Sequence, residues 1–298
     1  MTEKQSHIRG DIWAVISALT TAIGLTIAKI ILEDIPPLTF NTYVFLFGSV
    51  IILGHSAVNG NLKKTIVVPV ADLGFYFILA ILFAGSTFCL FTALTFIEPA
   101  TVSFLSRLEL IATLLLAVMF LKEQISRAEI LGLLFVLAGI IVMRYGASME
   151  LSRAVLLVSI QAILVGTAEV LIKHRIKRIN PGSLIFYRGL FMVIIFLIAG
   201  TALDQIIWVR DWRLILLLLA AAFFMPYLGR FSYLKAMENI NISRASIIVQ
   251  SQPFFAVGFT LLLIGTFPSM RELSGGFLIV GGVILIKLLE KRHHRKKP

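Results

Sequence analysis

The stretch that decides the fold runs from Phe91 to Met143 and reads FTALTFIEPATVSFLSRLELIATLLLAVMFLKEQISRAEILGLLFVLAGIIVM. It holds two apolar runs, 100–121 and 127–145, on either side of a short charged loop. A helix that crosses about 30 Å of hydrocarbon needs roughly 20 mainly apolar residues. The stretch therefore predicts two membrane helices joined by a polar turn.

The composition of the whole chain is that of a membrane protein. Of its 298 residues, 58% are hydrophobic and 14% are charged, whereas soluble domains average about 45–50% apolar and roughly 25% charged residues. So few polar side chains cannot cover a water-facing surface, and we expect lipid to surround the protein. The net charge of +11 lies in short loops and at the C-terminus, which indicates membrane orientation rather than nucleic-acid binding.

Outward from the quoted stretch, charges, prolines and polar clusters divide the sequence into further apolar runs. We predict an all-α polytopic membrane protein with ten spans, because a backbone in lipid must satisfy its own hydrogen bonds. The first run exceeds the core of a signal peptide, which is about 7–15 residues, so we expect it to be retained. The predicted spans are 11–32, 38–58, 71–95, 100–121, 127–145, 153–173, 182–203, 213–235, 243–265 and 271–290.

The distribution of basic residues predicts the orientation. Eighteen of the 27 lysines and arginines lie in the loops on the side of the two termini, and five lie in the loops on the other side. The remaining four, Lys29, Arg107, Arg188 and Arg230, fall within spans or at their edges. Because basic loops stay cytoplasmic, we expect a multi-pass protein of the cell (inner) membrane with both termini in the cytoplasm. The basic tail also favours contact with anionic lipid headgroups.

The two halves of the chain align, with small shifts between blocks. Each half contains five spans, an odd number, so we predict two inverted five-helix repeats, 1–148 and 149–298. Inverted repeats are typical of secondary transporters, which bind substrate near the midplane where the repeats meet. The matching pairs are Lys29 and Lys173, Pro37 and Pro181, Glu98 and Glu238, Ser103 and Ser246, Gly132 and Gly275, and Gly139 and Gly282.

The quoted stretch and its partner, Phe231 to Lys287, share an apolar fourth helix and a fifth helix with spaced glycines. In the first copy Glu123 follows the fourth helix, and Gly132 and Gly139 lie in the fifth. On these features the chain resembles the drug/metabolite transporter superfamily, in particular proteins with two EamA-type domains. The resemblance implies the ten-helix repeat fold and transport of small molecules.

The sequence departs from the family pattern at several positions. The proline usual in the fourth helix is Leu110 in the first copy and Pro253 in the second. The arginine usual near the start of the second helix is Val44 in the first copy and Arg188 in the second. We therefore interpret Arg188 as structural or interfacial.

A polar pair in the fourth helix of each copy is our main candidate for substrate binding. Arg107 and Glu109 are matched in the second copy by Gln250 and Gln252. Two residues on a helix differ by about 200°, so we expect Arg107 and Glu109 to point to different sides and not to line one wall. Either one contacts substrate or a coupling proton, with Glu109 as the proton carrier, or neighbouring helices neutralise both.

Other polar residues inside spans have similar alternatives, because an ionisable group at a helix centre costs about 2.5–3.5 kcal/mol on insertion scales. Arg230 follows the Pro226-Tyr227 kink and either binds an anionic or aromatic group or reaches the membrane surface. Tyr227 and Gln161 are further candidate substrate-binding residues. All of these positions are read from the sequence.

Three more charged residues are candidates for gating or ion pairing. Glu169 and Lys173 are four residues apart, which suits an ion pair along one helix. Lys29 and Lys173 match between the repeats, so inversion would place them toward opposite membrane faces. Each either extends to its headgroups or guards one mouth of a pathway.

The sequence contains neither a phosphate-binding GxxxxGK[ST] loop nor a metal or catalytic-triad constellation. We therefore expect no enzyme, no cofactor and no metal. The best interpretation is a secondary active transporter, an exporter of a small metabolite such as an amino acid or an organic anion, with alternating access around a midplane site. A flippase for a lipid-linked headgroup and a non-transporting scaffold are the alternatives. The expected partners are the substrate and lipids, and the glycine surfaces would allow a homodimer.

Overall fold

The structure, a computed structural model, describes residues 3–121, 127–145, 148–175, 181–240 and 242–294. Glu123 lies outside these ranges. Every regular element within them is helical. The elements are α1 (Glu3–Ile31), α2 (Pro37–Val58), α3 (Leu62–Ile66), α4 (Val70–Phe96), α5 (Pro99–Leu105), α6 (Leu108–Leu121), α7 (Arg127–Arg144), α8 (Met149–Arg175), α9 (Pro181–Ala202), α10 (Trp212–Ala222), the π-helix π1 (Phe223–Gly229), α11 (Arg230–Asn239), α12 (Ile242–Val249), α13 (Gln252–Leu263) and α14 (Met270–His294).

Each of the ten apolar runs contains helix, and the short α3 in the loop after α2 was not predicted. Several of the described helices are long and apolar enough to cross a bilayer, as a multi-pass membrane protein requires. These six segments are His7–Ile31, Pro37–Val58, Asp72–Phe96, Met149–Ile172, Gly182–Ala202 and Trp212–Asn239.

Prolines lie at the starts of several helices. Pro37 begins α2 after the extended Pro36, and Pro99 begins α5 after the extended Glu98. Pro181 is the first residue of α9. The first helical position tolerates proline because its N–H would have no partner inside the helix.

The fourth predicted span of each half of the sequence is broken into two helices. In the first half α5 ends at Leu105 and α6 begins at Leu108, and in the second half α12 ends at Val249 and α13 begins at Gln252. Tighter i to i+3 hydrogen bonds cross both breaks, such as those from Glu109 N to Ser106 O and from Gln250 N to Ile247 O. The sequence predicted continuous spans over 100–121 and 243–265, so both breaks differ from that expectation.

Pro226 is accommodated by a π-helix rather than by a simple kink. The wider helix π1 contains Pro226 and continues directly into α11. The hydroxyl of Ser17 on α1 donates to the carbonyl oxygen of Gly229 at 2.8 Å. Gly24 allows α1 to approach closely, because a Cβ atom there would overlap the side chain of Met225. Single π turns inside α-helices are frequent at functional sites.

The two fifth helices, α7 and α14, pack against each other through glycines. A Cβ atom on Gly132 would lie 2.6 Å from Gly282 O, and one on Gly139 would lie 2.5 Å from Gly275 O. Small residues let membrane helices approach in this way. These four glycines are therefore used within the chain, and the homodimer stays a prediction.

The helix α1 occupies the centre of the bundle. It packs against α10, π1, α11, α12 and α13. On the other side α4 lies between α8 and α9, and α6 packs on α8. Residues at both breaks line a cavity together with residues of α1, α8 and α11.

Candidate functional site

A cavity of about 510 Å³ lies where the two broken helices meet α1, α8 and α11. Its wall combines hydroxyl, amide and charged side chains with a few apolar ones. The lining residues are Ser17, Thr21, Ser106, Arg107, Glu109, Leu110, Thr113, Glu169, Met225, Gly229, Arg230, Tyr233, Val249, Gln250 and Gln252.

Arg107 links the two halves of the chain across the cavity. Its Nη1 donates to Gln250 Oε1 at 3.1 Å and its Nη2 donates to Gln252 Oε1 at 2.6 Å. Its Nε donates to the Ser103 carbonyl oxygen at 3.3 Å. The planar guanidinium presents several donors in a fixed fork, which suits two acceptors held by one backbone break. Arg107, from the polar pair of the first half, is thus bound by both glutamines of the matching pair in the second half.

Glu109 lies in the first turn of α6 and faces α8. The side chain of Gln161 on α8 lies beside its carboxyl group. Gly166 allows the two helices to approach, because a Cβ atom there would lie 2.9 Å from the backbone nitrogen of Thr113. Glu169, one turn further along α8, also lines the cavity and interacts electrostatically with Glu109. Two carboxyl groups therefore share one side of the cavity.

Arg230 enters the cavity from the opposite side. It is the first residue of α11, directly after π1, and it interacts electrostatically with Glu109. Tyr233 lies about one turn beyond it, and Ser17 and Thr21 of α1 complete this wall. The wall can offer a positive charge together with hydroxyl groups to a bound molecule.

The charges that line the cavity are balanced and not directly paired. Two arginines, Arg107 and Arg230, face two glutamates, Glu109 and Glu169. Within the described part of the chain, the close ion pairs are Lys235 with Glu238 and Arg244 with Asp11, which lie elsewhere. Arg107, Glu109 and Glu169 are half-buried and Arg230 is exposed, so these charges can be reached from the cavity, which is suited to a polar or charged molecule.

The structure brings together six of the predicted residues, namely Arg107, Glu109, Glu169, Arg230, Gln250 and Gln252. Arg107 and Glu109 both line this cavity, with Arg107 bound to Gln250 and Gln252 and Glu109 on the side of α8. The chain turns at Ser106 and Arg107 between α5 and α6, so the angle of about 200° for a continuous helix does not apply here, and the expectation that the two residues lie on different walls stays a prediction.

Other predicted residues lie outside the cavity lining. The Nζ of Lys29 donates to the carbonyl oxygens of Leu94 at 2.9 Å and Thr95 at 3.3 Å, near the end of α4. Lys29 therefore does not contribute a charge to the cavity wall.

Tyr227 and Gln161 stand one layer back from the cavity. The hydroxyl of Tyr227 forms a hydrogen bond with Nδ1 of His55 at 3.1 Å, and Gln161 is buried and contacts the cavity through Glu109. The side chain of Lys173 lies outside the described part, so its ion pair with Glu169 stays a prediction.

Sequence reasoning missed Ser17 and Thr21. They are four residues apart on α1 and therefore share a face, which was the available signal. The signal is weak, because serine and threonine in membrane helices commonly bond to their own backbone. Thr21 does so, donating to Ser17 O at 2.8 Å.

A second cavity, also of about 510 Å³, is lined by the ends of several helices and includes Glu98, Tyr145 and Glu272. The carboxylate of Glu272 already accepts hydrogen bonds from Thr101 Oγ1 at 2.8 Å and from Ser269 N at 2.8 Å. These contacts join α5 to the start of α14, so we interpret this group as a structural connection.

Comparisons with known proteins agree with this architecture. A model of the EamA-like transporter family matches residues 8–145 and 152–288. A relative from Clostridium kluyveri, described as an uncharacterized transporter, is 23% identical over 269 residues, which cover 85% of each chain. A solved crystal structure has a TM-score of 0.68 at 17% identity and covers 98% of this chain and 100% of its own, which is a likeness of fold alone.

Proposed function

Because the chain belongs to the EamA-like transporter family, we propose that it is a secondary transporter of a small metabolite. Transport would follow alternating access around the cavity that contains Arg107 and Glu109. The observation that carries the proposal is a cavity of about 510 Å³ with four charged side chains and no close ion pair between them. A transport site must present charged side chains that a substrate can bind and later dissociate from.

The proposed frame for this motion is a bundle of ten spans in two inverted repeats, 1–148 and 149–298. Three features support it: the family model matches the chain twice, both fourth spans are broken, and the glycines of α7 and α14 contact each other in exchanged order. Gly132 aligns with Gly275 but contacts Gly282, while Gly139 aligns with Gly282 but contacts Gly275. A two-fold axis between the repeats produces that exchange.

The hydrogen bonds from Arg107 to Gln250 and Gln252 are a contact that alternating access could change. It joins the break of one repeat to the break of the other at the cavity wall. Rocking of one repeat against the other would change these two distances. We propose that this contact is one of the connections that differ between the two access states.

We further propose an exporter in the inner membrane, with both termini in the cytoplasm and substrates such as amino acids or organic anions. The excess of basic residues in the loops on the side of the termini supports the orientation. Gradients of substrate or protons would supply the energy, and Glu109 is the proposed proton carrier.

The proposal is tested by flux into liposomes that contain the purified protein. Leucine, succinate and putrescine, supplied with and without an imposed pH gradient, represent zwitterionic, anionic and cationic metabolites. We expect uptake above that of protein-free liposomes for at least one of them, and a loss of at least tenfold in Glu109→Gln. The matched control is Glu33→Gln, an exposed carboxylate at the end of α1, which should retain wild-type flux.

Two results would contradict the proposal. Flux equal to that of empty liposomes for all three compounds would show that the protein does not transport metabolites of this class. A wild-type pH response in Glu109→Gln would remove the proton-carrier role while leaving transport in place.

A further inference from the structure

Arg188 is a charged residue inside the protein to which the sequence assigned only a structural or interfacial role. It lies in α9, and its guanidinium carbon is 4.4 Å from the centre of the Phe83 ring on α4. An arginine over an aromatic face is held by the negative charge of the ring. The ring fixes the side chain but leaves the edge of the guanidinium, with its N–H donors, free to bind an acceptor.

The donors of Arg188 are not fully satisfied. Its Nε is buried and has no hydrogen-bond acceptor among the described residues. Such buried donors are rare in folded proteins and call for an explanation. The electrostatic neighbours of Arg188 are Glu169 and Arg230, both of which line the central cavity. The unsatisfied guanidinium is therefore within electrostatic range of two charged residues of the cavity wall, although Arg188 itself is not one of the lining residues.

The charges around the cavity fall into two groups. Arg107 is held by the side chains of Gln250 and Gln252, and Glu109 lies beside Gln161 and interacts electrostatically with Arg107. No hydrogen bond or close ion pair to another described side chain is found for Arg188, Arg230 or Glu169. This second group contains two positive charges and one negative charge, so it has a net attraction for an anion.

We propose that the anionic group of the substrate, a carboxylate or a phosphate, binds between Arg188 and Arg230, and that Glu169 competes with it for the two arginines. This inference rests on the proposed transport function. An anion there would relieve the repulsion between the arginines and supply the acceptor that Arg188 lacks. Glu169 acts as the resting counter-ion, so it weakens anion binding.

Because Glu169 competes with the anion, substitutions of Arg188 and of Glu169 are expected to change the affinity for succinate in opposite directions. Arg188→Gln removes a binding charge and is expected to lower the affinity for succinate at least tenfold. Glu169→Gln removes the competitor while keeping a side chain of similar size, and is expected to raise that affinity several-fold. A purely structural role for either residue would lower affinity or folding in both cases.

The affinity is measured by thermal stabilisation of the purified protein with succinate or inorganic phosphate, because a ligand that binds only the folded state raises the unfolding temperature with its concentration. Flux in liposomes is measured in parallel with succinate, leucine and putrescine. Arg188→Lys keeps the charge but not the fork, so it should fold and show an intermediate affinity. The controls are the exposed residues Arg153 and Glu33, changed to glutamine.

Each outcome decides the inference. Tighter succinate binding in Glu169→Gln together with weaker binding in Arg188→Gln or Arg188→Lys supports it. If these variants bind succinate as tightly as the unmodified protein does, the inference is overturned. It is also overturned if the unmodified protein transports leucine or putrescine but neither binds nor transports succinate. In that second case the proposed transport function still stands. A wild-type protein inactive toward all three compounds overturns the transport function and this inference together.

Discussion

Arg107 shows how a charge is stabilised inside this protein without a carboxylate in direct contact. Its three hydrogen bonds go to two glutamine oxygens and to the carbonyl oxygen of Ser103. Hydrogen bonds to a charged group contribute about 1.5–3 kcal/mol each, which offsets part of the cost of burial. Neutral acceptors also leave the positive charge of Arg107 uncompensated, so it still attracts a negatively charged molecule in the cavity.

We predict that Arg107→Lys reduces flux about tenfold, because a single ammonium group cannot reach both Gln250 and Gln252 with the geometry of the fork. Loss of one charged hydrogen bond corresponds to a factor of that order. The initial rate of uptake into liposomes measures the effect. Arg153→Lys, at an exposed position on α8, is the control, and equal rates in the two variants would show that the bridge does not contribute to transport.

At the scale of elements, the contact between α7 and α14 depends on the absence of side chains at a few positions. Gly282 faces the carbonyl oxygen of Gly132, whereas its neighbour Gly281 has nothing within 4 Å of a Cβ atom. The two glycines follow one another on one helix but differ completely in their surroundings. They therefore separate the effect of helix packing from the effect of helix propensity.

We predict that Gly282→Ala destabilises the protein by roughly 1–3 kcal/mol, the usual cost of overpacking. A Cβ atom there would lie 2.6 Å from Gly132 O and 2.9 Å from Phe135 Cβ, so the helices would have to separate. Gly281→Ala should be neutral or slightly stabilising, because alanine is the better helix former. Thermal unfolding in detergent compares the two variants, and equal unfolding temperatures would contradict the packing described for this interface.

The π-helix is the second element whose geometry determines the site. Pro226 cannot donate to the helix ladder, and the wider turn of π1 accommodates it. The turn sets the rotation of every residue that follows, beginning with Arg230. One residue more or less in a helical turn rotates the following side chains by about 100°.

We predict that Pro226→Ala keeps or raises the unfolding temperature but lowers flux. Alanine permits π1 to close into an ordinary α-helix, which would turn Arg230 away from the cavity. Pro69→Ala, at the exposed residue before α4, is the control. A variant with wild-type flux and higher stability would show that the π turn is only an accommodation of the proline.

At the scale of the whole molecule, membrane topology decides whether the cavity can be reached from both sides. The proposed arrangement of two inverted halves with five spans each requires both termini on the same face. The excess of basic residues in the loops on that side predicts that this face is cytoplasmic. The chain has one cysteine, Cys89, which is buried, so labelling of introduced cysteines will have a low background.

We predict that a cysteine at Lys64 reacts with a membrane-impermeant thiol reagent only after permeabilisation of intact cells, whereas a cysteine at Arg210 reacts without it. Both positions are exposed, one in α3 and the other in the loop before α10. Each substitution is made in a Cys89→Ser background. Reaction of both cysteines in intact cells would disprove the orientation, and with it the inverted arrangement of the repeats.

The sequence by itself determined the helical class, the positions of the ten apolar runs that contain helix, and the family. Hydrophobic length and proline chemistry are local properties, so they can be read without knowing which segments meet. The pair Arg107 and Glu109 could be found for the same reason, because a charged residue within an apolar run can be recognised from the sequence alone.

Only the tertiary structure decided which charges face one another. No proline or glycine marks the break beside Arg107 in the sequence. The break separates α5, which packs mainly on α13 and α14, from α6, which packs mainly on α8. That break places Arg107 and Glu109 in one cavity, and the contact with Gln250 and Gln252 joins residues 143 and 145 positions apart. Contacts at such separations depend on helix packing, which local sequence patterns do not encode.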